Sequence, residues 1–476
     1  MNKRLYAALR AAILDGSIPC DSRLPATRDL AAELRVSRNT IVDVYEQLSA
    51  EGYTRSRQGS GTFVAEWAPE SPVGGMHKAR RRAVAWKDQG LSERGRHIID
   101  GALASPHQWG AFMPGVPDLT MFPYKKFGRI INAWWREPKP DLLSYSYGGG
   151  LPALREVLAG HLRITRSLDC DANQIVVTEG TQQAIDLVVR LLGDAGDLAW
   201  VEDPGYWGAR TVLRANGIHI AAQPVDQDGM CLPDEPGDRP RFIFVTPSHQ
   251  YPLGSIMSLA RRRQLLAFAR RSGSWIVEDD YDSEFRYSGR PIPALQGLEA
   301  DAPVLYIGTF SKTLYPGLRI GYLVLPRELA IPFQKAQAEL YREGNLPMHS
   351  ALATFIADGH YAAHIRRMRL VYARRRTMLV NLIERRLGKE WVHRDGSEAG
   401  LHVVMKLRAD IDDRRVVAAA HRRGILTRPL SSYYVDDTHR RYGLLLGYAC
   451  VADGEMTSRF ELLMSSIAEA ASGGIR

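Results

Sequence analysis

Apolar positions along the chain follow two rhythms, and the change between them divides it. Over the first 50 residues the spacing is helical. Leu5, Ala8, Leu9, Ala12 and Ile13 share one face of a helix that Gly16 ends. A short second helix, TRDLAAEL, opens at Pro25 and Thr27 and turns Leu30, Ala31 and Leu34 inward. After the turn RVS, Ser37 is placed to N-cap a longer helix with Ile41, Val44, Tyr45 and Leu48 on its buried face. The stretch YTRSRQGSGTFV then predicts two short strands joined by a Gly-rich turn. Two helices across a tight turn, followed by a hairpin, spell a helix-turn-helix with a wing.

From about residue 110 the rhythm changes to short apolar runs alternating with helical patterns. QIVVTEG precedes the helix TQQAIDLVVRLL, LAWVEDPGY and RFIFVTPSHQ each precede another helix, and WIVEDDYDSEF and VLYIGTFSK complete the set. Apolar strands that end in polar loops predict a mostly parallel α/β sheet covered on both faces. Between the two rhythms, EWAPESPVGGMHKARRRAVAWKDQG has little periodicity and scattered Pro and Gly. It reads as a tether, with a solvated basic cluster at Lys78 to Arg82 and helix resuming near Ser92. The expected divisions are a head over 1–65, a linker over 66–110 and a larger domain over 111–476.

Composition narrows this little. A net charge of +9 permits nucleic-acid binding without establishing it. Cys20, Cys170, Cys231 and Cys450 lie far apart with no CxxC or His/Cys cluster, which argues against a metal site or a disulfide framework and fits a reducing cytoplasm. The charged start is unlike a signal peptide, and no apolar run approaches the roughly 20 residues that cross a bilayer.

Candidate chemistry gathers at the strand ends, where ligands of such sheets bind. Lys312 sits between Ser311 and Thr313 just past VLYIG, and Arg319 follows in a Pro/Gly-rich turn. An amine, a hydroxyl and a guanidinium delivered together suit a phosphorylated aldehyde: a Schiff base at Lys312, with the phosphate held by Ser311 and Arg319. Gly180, Thr181 and Gln182 open a helix and can receive phosphate on backbone N–H groups. Tyr206 offers a ring to stack, Asp279 can hold a pyridinium nitrogen protonated, and Tyr281 can reach a phenolic oxygen. In the head, the start of the second helix exposes Arg38, Asn39 and Thr40, types that bond base edges and phosphates, and the wing carries Arg57.

Residues Arg23 to Val64 resemble the winged helix-turn-helix of the GntR regulators. The resemblance implies DNA contacts from Arg28, from the helix start at Ser37, Arg38, Asn39 and Thr40, and from Gly59 and Arg57 in the wing. The order of strand-end residues from about 110 to 470 resembles the fold-type I, aspartate-aminotransferase-like enzymes that use pyridoxal 5′-phosphate. It implies Lys312 as the aldimine lysine, Asp279 as partner of the ring nitrogen, Tyr281 near its O3′ and Tyr206 stacked on it. Gly180, Thr181, Gln182, Ser311 and Arg319 surround the phosphate, and Tyr145 comes from the neighbouring subunit. Two positions depart from the pattern. Tyr251-Pro252-Leu253-Gly254 replaces Asn-Pro-x-Gly, and YGLLLGYA lacks the usual carboxylate-binding arginine, leaving Arg210 and Arg428 as candidates for an effector.

A GntR-like head on an aminotransferase-like body is similar to the MocR regulators. That resemblance implies a bacterial, cytoplasmic, promoter-binding regulator controlled by the cofactor itself or by an amine or amino-acid effector. It also implies a head-to-tail, domain-swapped homodimer, with no membrane partner. A true aminotransferase with an accessory DNA-binding head is the rival reading. A DNA-binding scaffold with an empty body is the third.

Overall fold

The computed structural model describes the chain apart from residues 1, 58, 66–89, 101–107, 234–236, 238, 290–291, 300, 343, 394–397 and 473–476. The expected tether, with its cluster at Lys78 to Arg82, therefore lies largely outside the described residues. Two compact units divide the chain, Met1–Gly90 and Leu91–Arg476.

The small unit has three helices, α1 (Asn2–Leu14), α2 (Thr27–Glu33) and α3 (Arg38–Ala50), and a hairpin of β1 (Thr54–Arg57) and β2 (Gly61–Val64). Its core collects Ile13, Leu24, Leu30, Ile41, Val44, Leu48, Tyr53 and Val64. Leu34, expected inside, is 43% exposed. The helix stops at Glu33, so Leu34 is its C-cap and lies past the buried stripe. The turn that follows runs through Arg35 at φ 52. Ser37 caps α3 as expected: its Oγ accepts from the Thr40 N–H at 3.2 Å and meets the Thr40 hydroxyl at 2.8 Å. Losing this cap costs about 1 kcal/mol. Ser37→Ala is therefore expected to speed amide exchange across the first turn of α3 several-fold, with the rest of the unit protected.

The larger unit begins with α4 (Glu93–Asp100), whose first turn is held by Ser92 and which packs on helix Trp207–Ala215. Its main sheet has eight strands: β3 (Ile175–Thr178), β4 (Leu198–Asp203), β5 (His219–Asp226), β6 (Gly229–Met230), β7 (Phe242–Val245), β8 (Trp275–Asp280), β9 (Val304–Thr309) and β10 (Gly321–Val324). They lie in the order β3-β10-β9-β8-β7-β4-β5-β6. The run β9-β8-β7-β4-β5 is parallel, β10 is antiparallel to both its neighbours, and β6 is antiparallel to β5. Residues alternate between faces: Ile175, Val177, Tyr306 and Tyr322 enter one core, while Val176, Ile307 and Leu323 enter the other. The sheet is covered on both sides, as its unbroken apolar runs demand. A three-stranded antiparallel sheet near the C-terminus has His402–Lys406 at one edge, Gly443–Gly447 at its centre and Arg428–Pro429 at the other.

Candidate functional site

In the small unit, Arg28, Arg38 and Asn39 are exposed, and Thr40 is half-buried under the Ser37 cap. Helix α3 therefore presents two long polar side chains at its free end, while the hydroxyls of Ser37 and Thr40 are spent on each other. Gly59 turns the wing at φ +77, a conformation that strains any side chain. Arg57 is not free in the wing: its guanidinium lies 4.8 Å over the Phe63 ring and 3.2 Å from Asp21, which also pairs Arg55.

In the larger unit, the carboxyl ends of the parallel strands surround a cavity of about 180 Å³. Its wall contains Thr181, Gln182, Tyr206, Asp279, Tyr281, Ser311, Lys312 and Arg319, eight residues singled out from the sequence. Gly180 stands behind it at φ +91; a Cβ there would press to 3.3 Å of the Arg319 guanidinium. Glycine thus lets Arg319 lie along the start of helix Thr181–Leu192, where it donates to the Glu179 carbonyl at 2.6 Å. That helix start directs free N–H groups at the same end of the cavity, so an anion meets a positive pole from two sources.

The electrostatics of the wall are unusual. Asp279 is half-buried, with its Oδ1 buried and without a hydrogen-bond partner; desolvation and the neighbouring carboxyls make it costly to charge and lift its pKa to about 7. Burial pulls the Lys312 ammonium below its ordinary value, against the attraction of Asp282 and Asp279. Tyr206, raised to about 12 by burial, accepts from Gln182 Nε2 at 2.9 Å, which fixes its ring. Tyr281 reaches His249 Nδ1 at 2.8 Å, and the same nitrogen lies 3.0 Å from Asp282.

Several contributors gave little or no sign in the sequence. Gly115 (φ +69) lets the chain pass so close that a Cβ would sit 3.2 Å from Lys312 Nζ. Its only signal was a glycine between two prolines in MPGVP. Thr246, Thr309 and Pro316 line the wall, and His249 and Asp282 support Tyr281 from behind. Tyr251 occupies the wall where the asparagine was absent, with its hydroxyl 3.0 Å from that of Tyr433 and its ring edge-on to Tyr206 and Tyr281.

Three residues expected from the sequence to serve the site fall outside the cavity. Tyr145 is 81% exposed and borders a separate groove with Trp134, Trp135 and Leu143. Arg210 is buried and committed to backbone, donating to the Tyr433 carbonyl at 2.7 Å and that of Ser432 at 3.3 Å. Arg428, half-buried on the small sheet, acts electrostatically on the phenol of Tyr251 in the wall and on that of its hydrogen-bond partner Tyr433.

A winged helix-turn-helix carried on one chain with a doubly covered sheet and its lysine–aspartate cavity defines a DNA-binding regulator built on an aminotransferase scaffold. Residues 1–64 match the bacterial regulatory proteins of the gntR family, and residues 125–444 match aminotransferase class I and II. The chain is 39% identical to the probable rhizopine catabolism regulatory protein MocR of Rhizobium meliloti, over 100% of this chain and 95% of that one. It is 30% identical to the pyridoxine biosynthesis transcriptional regulator PdxR of Corynebacterium glutamicum, over 99% of this chain and 96% of the relative. An archaeal alanine:glyoxylate aminotransferase shares the fold, with a TM-score of 0.71 at 23% identity over 81% of this chain and 99% of its own. The chain belongs to the MocR subfamily of GntR transcriptional regulators. Among the described residues, no helix is long and apolar enough to cross a membrane.

Proposed function

We propose that the larger unit binds pyridoxal 5′-phosphate, and that this occupancy, alone or with an amine-bearing effector, sets the affinity of the head for promoter DNA. The observation that carries this reading is the buried, unpartnered Asp279 Oδ1 in one cavity with the Lys312 amine. An acceptor left bare inside a protein is costly unless a ligand completes it. A protonated ring nitrogen is the partner it lacks. Tyr206 gives the ring a flat wall, while Thr181, Ser311 and Arg319 supply donors for a phosphate. When bound, the cofactor contributes an aldehyde that condenses with amines and a ring that withdraws electrons. The chain's own part is to keep Lys312 ready to react, because burial favours its neutral form, and to hold the ring in register.

We assign an effector carboxylate to Arg428, whose charge reaches the phenol of Tyr251 in the cavity wall; Arg210 donates to the Ser432 and Tyr433 carbonyls and does not line that wall. We assign turnover no part in the function. Tyr251 fills the wall position of the enzymes' asparagine and is locked to Tyr433. Steady-state transamination with common amino donors and 2-oxoglutarate is expected to stay at background. The test of the whole reading is a titration of pyridoxal 5′-phosphate, then of amines, into the full-length protein while DNA binding is followed. An affinity for promoter DNA that ignores both would overturn it.

We further propose a homodimer in which Tyr145 completes the partner's cavity and the heads are exchanged head to tail. Its support is the apolar exposure of Leu143, Tyr145, Tyr147 and Trp135. Tyr145→Ala is expected to weaken cofactor binding only under conditions where sedimentation shows a dimer. In the head, Arg28, Arg38 and Asn39 carry the DNA contacts we assign. Arg38→Ala is expected to weaken promoter binding about tenfold, by the size of one base or phosphate contact. A salt slope lower by about one identifies a phosphate contact, and an unchanged slope a base contact.

A further inference from the structure

A second cavity, of about 360 Å³, shares no lining residue with the first. Helix Pro152–Arg166, the segment after β8 and the first turns of helix His360–Arg386 enclose it. Arg166, Ser283, Glu284, Arg286, Arg366 and Arg369 give it its chemistry. Arg166 is consumed by an internal pair, with its Nε 2.7 Å from Asp280. The other three arginines are not. Arg286, Arg366 and Arg369 have no ion pair among the described residues, and Arg286 Nε is buried without a hydrogen-bond partner. Arg369 donates from Nε to the Glu284 carbonyl.

Little opposes this charge. Glu284 is the one carboxyl among the described residues of the wall; it receives the Tyr361 hydroxyl at 3.3 Å, and burial lifts its pKa to about 7. His161, also in the wall, is held near 4 by burial and stays neutral. Three guanidinium groups around a concave space of this size suit a compact, multiply charged oxyanion, which their planar forks can grip in pairs of bonds. The volume lies in the range of small-ligand sites. We propose that this cavity is a second ligand site, for a small phosphate-type dianion held by Arg286, Arg366 and Arg369.

The site is wired to the first. Ser283 Oγ donates to Asp280 at 2.9 Å, and Asp280 also takes Arg166 and the Tyr306 hydroxyl. Asp280 follows Asp279 in the same strand and faces the opposite way, as strand alternation requires. An anion that draws on the Ser283–Arg286 segment therefore acts on the strand end carrying Asp279 and Tyr281. By linkage, any change it makes in cofactor affinity is returned in its own.

The probe is inorganic phosphate, titrated calorimetrically into the full-length protein at constant ionic strength. Three variants separate the possible sites: Arg286→Gln with Arg366→Gln, Arg366→Glu alone at an exposed position, and Arg319→Gln in the first cavity. Saturable binding is expected in the wild type and in Arg319→Gln. It should weaken at least about tenfold in the double variant and in Arg366→Glu, the scale of one lost charge-assisted hydrogen bond. Binding lost only in Arg319→Gln places the phosphate in the first cavity and overturns the proposal. Absence of saturable binding in the wild type, or equal binding in all variants, overturns it as well.

Discussion

In Lys312→Ala, borohydride treatment is expected to leave the protein without a covalently bound pyridoxyl group, while the wild type gains one on Lys312 itself. The effect is all or none because, among the described residues, only one amine enters the cavity wall. Its burial lowers the cost of the neutral, nucleophilic form, and Gly115 leaves room for its end. Surface lysines are solvated and charged at neutral pH, so they compete poorly. The phosphate-side donors and Tyr206 remain in the variant, so weakened, non-covalent binding persists. Mass spectrometry of the reduced protein reads the site, and the same samples on promoter DNA read the consequence. If the cofactor acts through its attachment, the variant's DNA binding no longer responds to amines. If occupancy alone is the signal, a response to pyridoxal 5′-phosphate survives at higher concentration. A stoichiometric adduct elsewhere in Lys312→Ala would falsify the assignment of the lysine.

How much of this was legible in the sequence follows from which interactions are local. The helices of the head and the strands of the sheet announce themselves through period, caps and β-branched runs, which are short-range signals. So do the residues at strand ends, because a parallel α/β sheet always brings those ends to one side. Tyr206, Asp279 and Lys312 lie far apart in the chain, yet the topology alone unites them. What stayed hidden depends on packing between distant segments. Gly115 matters only because its loop crosses Lys312, and His249 only because the chain returns beside Tyr281. Arg210 looked like a ligand for a carboxylate; the Ser432–Tyr433 carbonyls, 223 residues away for the closer one, claim it first. The missing asparagine was visible in YPLG, but the contact between the Tyr251 and Tyr433 hydroxyls was not. Leu34 failed for a simpler reason: the helix ended one residue sooner than its apolar stripe.

Asp279→Asn is expected to make the cofactor-free protein more stable above neutral pH and the cofactor-saturated protein less so. An unfolded aspartate titrates near 3.9, whereas burial raises the folded Asp279 to about 7. Between those values the unfolded chain has released the proton and the folded chain still holds it. The unfolded state then binds fewer protons, so stability falls as pH rises through the window and stays lower above it. Asparagine does not titrate and escapes this loss. The variant should match the wild type near pH 4 and gain roughly 1.4 kcal/mol per pH unit across the window, on the order of a few kcal/mol by pH 8. Glu202, Glu278 and Glu284, each also lifted to about 7 by burial, weigh on both proteins alike and largely cancel in the difference. Cofactor reverses the ranking. On the proposed reading it binds the folded state alone, where the carboxylate that was a burden would partner a protonated ring nitrogen. Thermal melts at pH 4 and pH 8, with and without pyridoxal 5′-phosphate, should therefore cross. A variant less stable than the wild type at pH 8 without cofactor would show that Asp279 is a structural carboxylate. A crossing shows instead an acid kept at the cost of stability for the ligand that completes it.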